Sequence, residues 1–128
     1  MDHIALDHAS CVYRSAEAAD RVLGDCLGMH HLRTFTLAAE AAGALFLVDR
    51  ATEVMVFGTD RRLLEAIILP DHRTEGSAAH ICVTVEDLVA TLRRCRTNGL
   101  EVRSTTVGDH DVFFVADADG NLFELKQG

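Results

Sequence analysis

The chain has 128 residues, 48% of them hydrophobic, and a formal charge of −8. That apolar share supports one packed domain, or two half-size modules sharing a core, and is too high for a disordered chain. The acidic balance and the lack of any basic run exclude a general affinity for nucleic acid or anionic membrane, and no apolar stretch is long enough to cross a bilayer.

The opening MDHIALDHAS reads as strand rather than as a signal segment, so a cytoplasmic protein is expected. The strand runs from Ile4 to Tyr13, and Ser15 is placed to cap a helix over Ala16 to Leu27. Ala16, Ala19, Leu23, Cys26 and Leu27 share one face of that helix, and Gly28 stops it. An extended segment follows from Met29 to Leu37. The alanine-rich stretch near 38–51 is compatible with a hairpin or a short helix. Strands at Glu53–Phe57 and Leu63–Leu69 precede Pro70, which closes the first half.

The second half repeats the plan. Strand His80–Val85 leads to Asp87 as cap, helix Leu88–Thr97, Gly99, and strands Leu100–Thr105, Val112–Ala116 and Leu122–Lys126. EVMVFGTDRRLLE, from Glu53 to Glu65, aligns without a gap on VFFVADADGNLFE, from Val112 to Glu124. Each half is therefore β-α-β-β-β, the first over about 1–70 and the second over about 78–128, with an insertion near 38–51. The expected fold class is α+β, a curved mixed sheet with helices packed outside.

Each copy carries one histidine early and one glutamate late: His8 with Glu65, and His80 with Glu124. Strand alternation puts His80, Cys82 and Thr84 on one face, opposite Ile81, Val83 and Val85. The same parity groups His8, Ser10 and Val12, groups Leu63, Glu65 and Ile67, and turns Phe123 and Leu125 away from Glu124. All four polar residues can then meet on one concave side. Two imidazoles and two carboxylates on rigid strands suit a divalent ion such as nickel, cobalt, zinc or iron. The four cysteines Cys11, Cys26, Cys82 and Cys95 contain no C-x-x-C pair and are expected to be reduced.

Asp7-His8, Leu27-Gly28-Met29, the run from His80 to Leu88 and the ending DADGNLFELK together resemble the vicinal oxygen chelate superfamily. That group includes glyoxalase I, methylmalonyl-CoA epimerase, extradiol dioxygenases, fosfomycin resistance enzymes and bleomycin-binding proteins. The resemblance covers essentially the whole chain. It implies paired βαβββ modules around a metal cleft, with His8, Glu65, His80 and Glu124 as the ligands. It also implies a small-molecule substrate and a homodimer. Ala118 stands where the family's turn usually has proline. Val12 stands where bacterial glyoxalase I has the arginine that holds glutathione.

The reaction expected first is that of a lyase or isomerase. A proton leaves the carbon beside a carbonyl, with the metal stabilising the enediolate and Glu124 or Glu65 as base. The alternatives are a ring-cleaving extradiol-type dioxygenase, which typically uses two histidines and one carboxylate, and an antibiotic binding or resistance protein. Arg93 and Arg94 are expected in solvent on their helix. His110 is a loop residue that could reach the cleft mouth, and Lys126 shares the Glu124 face.

Overall fold

A computed structural model describes residues 7–59, 62–73, 79–107 and 109–128. The expected strand over residues 4–6, His3, and the link at 74–78 lie outside the described residues. The first half contains β1 (His8–Tyr13), α1 (Ala16–Ala19, continuing as a π-helix over Asp20–Cys26), β2 (His30–Leu37), α2 (Ala39–Phe46), β3 (Thr52–Thr59) and β4 (Arg62–Ile68). The second contains β5 (Ile81–Val85), α3 (Leu88–Thr97), β6 (Glu101–Val107), β7 (His110–Ala116) and β8 (Leu122–Gln127).

The two halves build the same sheet. Strand order is β1-β4-β3-β2 in one and β5-β8-β7-β6 in the other. The first and last strands of each unit run parallel, and the remaining pairs are antiparallel. A parallel pair needs a long crossover, and here the helix and two intervening strands supply it. The fold is α+β with two βαβββ modules, as the repeat implies. The curved sheet resolves into two separate four-stranded sheets, with β1 and β5 each at an edge.

Local signals explain most element ends. The Ser15 side chain accepts from the Ala18 amide at 3.1 Å, and Asp87 accepts from the Ala90 amide at 3.0 Å. These caps satisfy amides that each first helical turn leaves unpaired. Gly28 and Gly99 follow the two helices at φ 76° and 82°, a left-handed conformation that costs glycine little. Val22 joins Ala19, Leu23 and Cys26 on the buried face of α1. The insertion is the helical alternative: α2 buries Ala42 and leaves Leu45 exposed, as is Leu47 just after it.

One core joins the modules. Cys11, Tyr13, Met55, Phe57 and Leu64 from the first sheet pack with Val115, Phe123 and Leu125 from the second. Leu23 and Cys26 of α1 and Leu92 and Cys95 of α3 fill the space between them. All four cysteines are free thiols, with Cys82 exposed and the others buried. Burial pushes the Cys11 thiol up to about 12 and the Cys95 thiol up to about 11, so both stay protonated and unreactive at neutral pH.

The β7–β8 turn closes the free edge of β1. The Asn121 amide oxygen accepts from the Val12 N–H at 3.2 Å, and its nitrogen donates to the Val12 carbonyl at 2.7 Å. Asp119 accepts from the Arg14 amide at 3.0 Å, and the Arg14 guanidinium donates to the Ala118 carbonyl at 3.2 Å. Asp117 shapes the turn by accepting from the amides of Asp119 and Asn121 at 3.0 and 2.8 Å. An edge strand that would otherwise present bare backbone is thereby paired. This side-chain pairing stands where a strand-to-strand ladder would have merged the sheets.

Asn121→Ala should cost about 1–3 kcal/mol through the unpaired Val12 backbone. A thermal melt should show the midpoint falling by roughly 3–10 °C for a chain of this size. Gly58→Ala should also destabilise, because Gly58 has φ 150° and a Cβ there would strike the Arg62 carbonyl. A melt of that variant matching the parent would contradict the tight β3–β4 connection.

Candidate metal centre

The strands are paired so that each histidine meets the glutamate of its own module. In the first sheet Ser10 lies opposite Glu65, and in the second Cys82 lies opposite Glu124. A histidine two residues earlier on the neighbouring parallel strand then reaches the same face. His8 Nε2 stands 3.4 Å from Glu65 Oε1, and His80 Nε2 stands 3.6 Å from Glu124 Oε1. Two donors about 2.1 Å from one ion, at angles between octahedral and tetrahedral, are separated by roughly 3.0–3.4 Å. The first pair falls at the upper end of that range and the second just beyond it. Each pair therefore offers one imidazole nitrogen and one carboxylate oxygen at close to a bridging distance.

Alternation separates the polar face from the core as the sequence parity requires. Phe123 and Leu125 are buried while Glu124 between them is only partly covered, and Leu64 and Ala66 flank Glu65 in the same way. All four side chains keep some access to solvent, between 18% and 38% of their surface. An ion could therefore reach them without unfolding the sheets.

The supporting groups differ between the halves. His8 Nδ1 bonds the Asp7 carboxylate at 2.8 Å, which aims Nε2 at Glu65. A carboxylate behind the imidazole is the usual way a ligand histidine is oriented and made more basic. That hydrogen bond raises the His8 pKa above the ordinary histidine value, against a lowering by burial and with help from the Glu65 charge. The His80 ring instead packs edge-on against Phe114, with centroids 4.9 Å apart. Phe114 lies directly across from Glu124 in the sheet. Lys126 Nζ comes within 3.9 Å of Glu124 Oε2, so the lysine does share that face.

The expectation that all four residues gather at one point is not met within a single chain. Among the described residues no group of three or more His, Cys, Asp or Glu side chains is close enough to hold one ion. The reason is topological. Each parallel pair brings a histidine to its own glutamate, but the described strands form two sheets, so strand pairing does not carry one pair to the other. The donor types fit a divalent ion, and each pair supplies two donors.

Other expectations resolve plainly. His110 is largely exposed beside Asp109, and its imidazole takes no part in either pair. His31 stacks on Phe57 at 5.0 Å and bonds Thr34. Arg93 and Arg94 are both exposed, as expected, but Arg94 also lines a cavity between the modules. Its guanidinium donates to the Thr91 hydroxyl at 3.0 Å. The signal for this was present in the helical spacing, since residues 91 and 94 lie one turn apart with Thr91 on the buried face.

Comparison with known proteins agrees with this architecture. The profile of the Glyoxalase/Bleomycin resistance protein/Dioxygenase superfamily matches residues 5–125. A glyoxalase family protein from Bacillus cereus superposes with a TM-score of 0.77 at 20% identity, over 100% of this chain and 97% of that one. Leishmania major glyoxalase I, described as trypanothione-dependent, gives 0.72 at 17% identity, over 98% and 87%. A point mutant of the fosfomycin resistance protein FosX from Listeria monocytogenes gives 0.73 at 15% identity, over 97% and 90%. That FosX structure is a complex with Mn(II) and 1S,2S-dihydroxypropylphosphonic acid. No curated protein matches the chain by sequence. With the profile spanning nearly its whole length and two βαβββ modules in place, the chain belongs to the Glyoxalase/Bleomycin resistance protein/Dioxygenase superfamily.

Proposed function

We propose that the protein is a divalent-metal-dependent lyase or isomerase of glyoxalase-like type, moving a proton next to a carbonyl of a small molecule. Two histidine–glutamate pairs with Nε2···Oε1 separations of 3.4 and 3.6 Å carry this reading. His8, Glu65, His80 and Glu124 would hold the ion. Nickel, cobalt, zinc or iron suits two imidazoles and two carboxylates.

Two donors from one pair are too few for a lasting site, because protein metal centres generally use three or four. A homodimer with two-fold symmetry supplies the remainder. The His8–Glu65 pair of one chain then faces the His80–Glu124 pair of the other, and the symmetry makes two equal sites. The polar faces of both sheets are open in the single chain, which supports this arrangement.

A divalent ion bound there would act as a Lewis acid, polarising a substrate carbonyl so that the neighbouring C–H loses its proton more readily. Glu124 is the preferred base. Its second oxygen lies 3.9 Å from Lys126 Nζ, which helps hold the carboxylate on the open face beside His80. Phe114 beside His80 gives that side of the site an apolar surface. His8 is held in one orientation by Asp7, which favours a fixed ion position over a mobile one. The arginine that serves glutathione in bacterial glyoxalase I has Val12 in its place, and the Val12 backbone is committed to Asn121. A substrate without glutathione is therefore the better fit.

Elemental analysis of the purified protein should give about one divalent ion per chain, lost or sharply weakened in Glu65→Ala and His80→Ala. Metal retained without Glu65 but lost without His80 would shift the reading to a three-ligand iron site and ring cleavage. No metal after reconstitution would leave a small-molecule binding protein. A mixing experiment tests the shared site. His8→Ala and His80→Ala each abolish both sites in a homodimer, but a mixed dimer keeps one complete set of four ligands. Unfolding and refolding the two variants together should restore about one quarter of the parent's bound metal. No recovery from a demonstrably mixed dimer would sink the shared arrangement. Glu124→Gln should slow solvent deuterium exchange at the carbon next to the carbonyl by about 10²-fold or more, where ion content is maintained.

A further inference from the structure

A cavity of about 780 Å³ lies between the modules, running along β5 from Ile81 to Val85 and on to Asp87. Asp7 and His8 are among its walls, but Glu65, His80 and Glu124 are not. Its apolar lining comes from both halves: Leu27, Met29 and Leu64 from the first, Ile81 and Val83 from the second. Its volume lies within the range that holds drug-sized ligands, which such sites grip by apolar walls and a few placed polar groups.

Two cations stand in these walls, Arg62 and Arg94. Neither makes a carboxylate ion pair among the described residues. Arg94 is held in place by one hydrogen bond from its guanidinium to Thr91, whose own hydroxyl donates to the Asp87 carbonyl. That leaves most of the guanidinium's donors free and oriented. The acidic wall residues are mostly committed elsewhere. Asp7 bonds His8, and Asp87 caps α3, which leaves Glu86 as an exposed carboxylate at the rim.

The two modules carry different side chains where each hairpin meets the neighbouring edge strand. The β7–β8 turn seals the edge of β1 with Asn121, but in the gapless alignment of the two halves the corresponding residue on the β3–β4 side is Arg62. An arginine there cannot both donate to and accept from a strand backbone as an asparagine amide does.

We propose that this cleft is a binding site for a small aliphatic carboxylate, with the head group on Arg94 and Arg62 and the chain along Leu27, Met29, Leu64, Ile81 and Val83. An alkyl chain suits the apolar walls, and a planar carboxylate suits the guanidinium fork. The site needs no metal, and it meets the proposed metal centre only at Asp7 and His8.

Calorimetric titration of chelator-treated protein with decanoate tests it, with decyltrimethylammonium as the cationic control. Decanoate should bind, and the Arg62→Gln/Arg94→Gln double variant should weaken it at least tenfold with an unchanged circular dichroism spectrum. The control should bind at least tenfold more weakly than decanoate. Equal binding of both probes, binding unaffected in the double variant, or no binding at millimolar decanoate would overturn the proposal. Binding seen only in metal-loaded protein would also overturn it, by assigning the carboxylate to the ion. Because the metal-free protein is used, failure here leaves the proposed metal chemistry untouched.

Discussion

The structure depends on how β1 is held at both edges. On one side it pairs in parallel with β4, and on the other it is gripped by Asn121 and Asp119 from the opposite half of the chain. The first pairing brings His8 to Glu65. The second ties the two modules together without merging their sheets. A backbone strand needs partners for its N–H and C=O groups on both sides, and here a single turn meets that need. The same residues explain why Asp117, Asp119 and Asn121 act as one unit: the first orders the turn and the other two reach across.

Burial and chemistry are divided by parity along each strand. Phe123 and Leu125 enter the shared core, and Glu124 between them stays accessible on the other face. Cys11 and Tyr13 pack inward on β1 while His8 and Ser10 face out. Burial raises Tyr13 and Cys11 far above their ordinary values, so these inward groups are neutral and add no charge to the core. The core cements the halves and leaves the opposite faces polar. This is why a small domain can keep four polar side chains partly exposed without losing its packing.

Symmetry between the halves is incomplete, and the departures are informative. Asp7 supports His8 through a hydrogen bond, whereas Phe114 supports His80 through a ring contact. Asparagine clasps one edge strand, and arginine stands at the matching place beside the other. The insertion adds α2 to the first module alone. The duplicated modules thus share one histidine–glutamate geometry while differing in what surrounds it.

The sequence by itself determined the repeat, the element order apart from α2, the caps of α1 and α3, and the shared facing of each histidine with its own glutamate. These follow from short-range rules: alternation with period two, cap residues at fixed offsets, and glycine where the backbone turns left-handed. The α3 boundaries and the inward turn of Phe123 and Leu125 were legible for that reason. Only tertiary structure decided that the strands form two sheets, that the two histidine–glutamate pairs stand apart in one chain, and that Arg94 lines a cleft. Sheet continuity depends on which groups reach a strand's free edge, and the Asn121–Val12 contact spans 109 positions. A pattern read within one strand or helix carries no information across that distance, so the relation between the halves had to come from the folded chain.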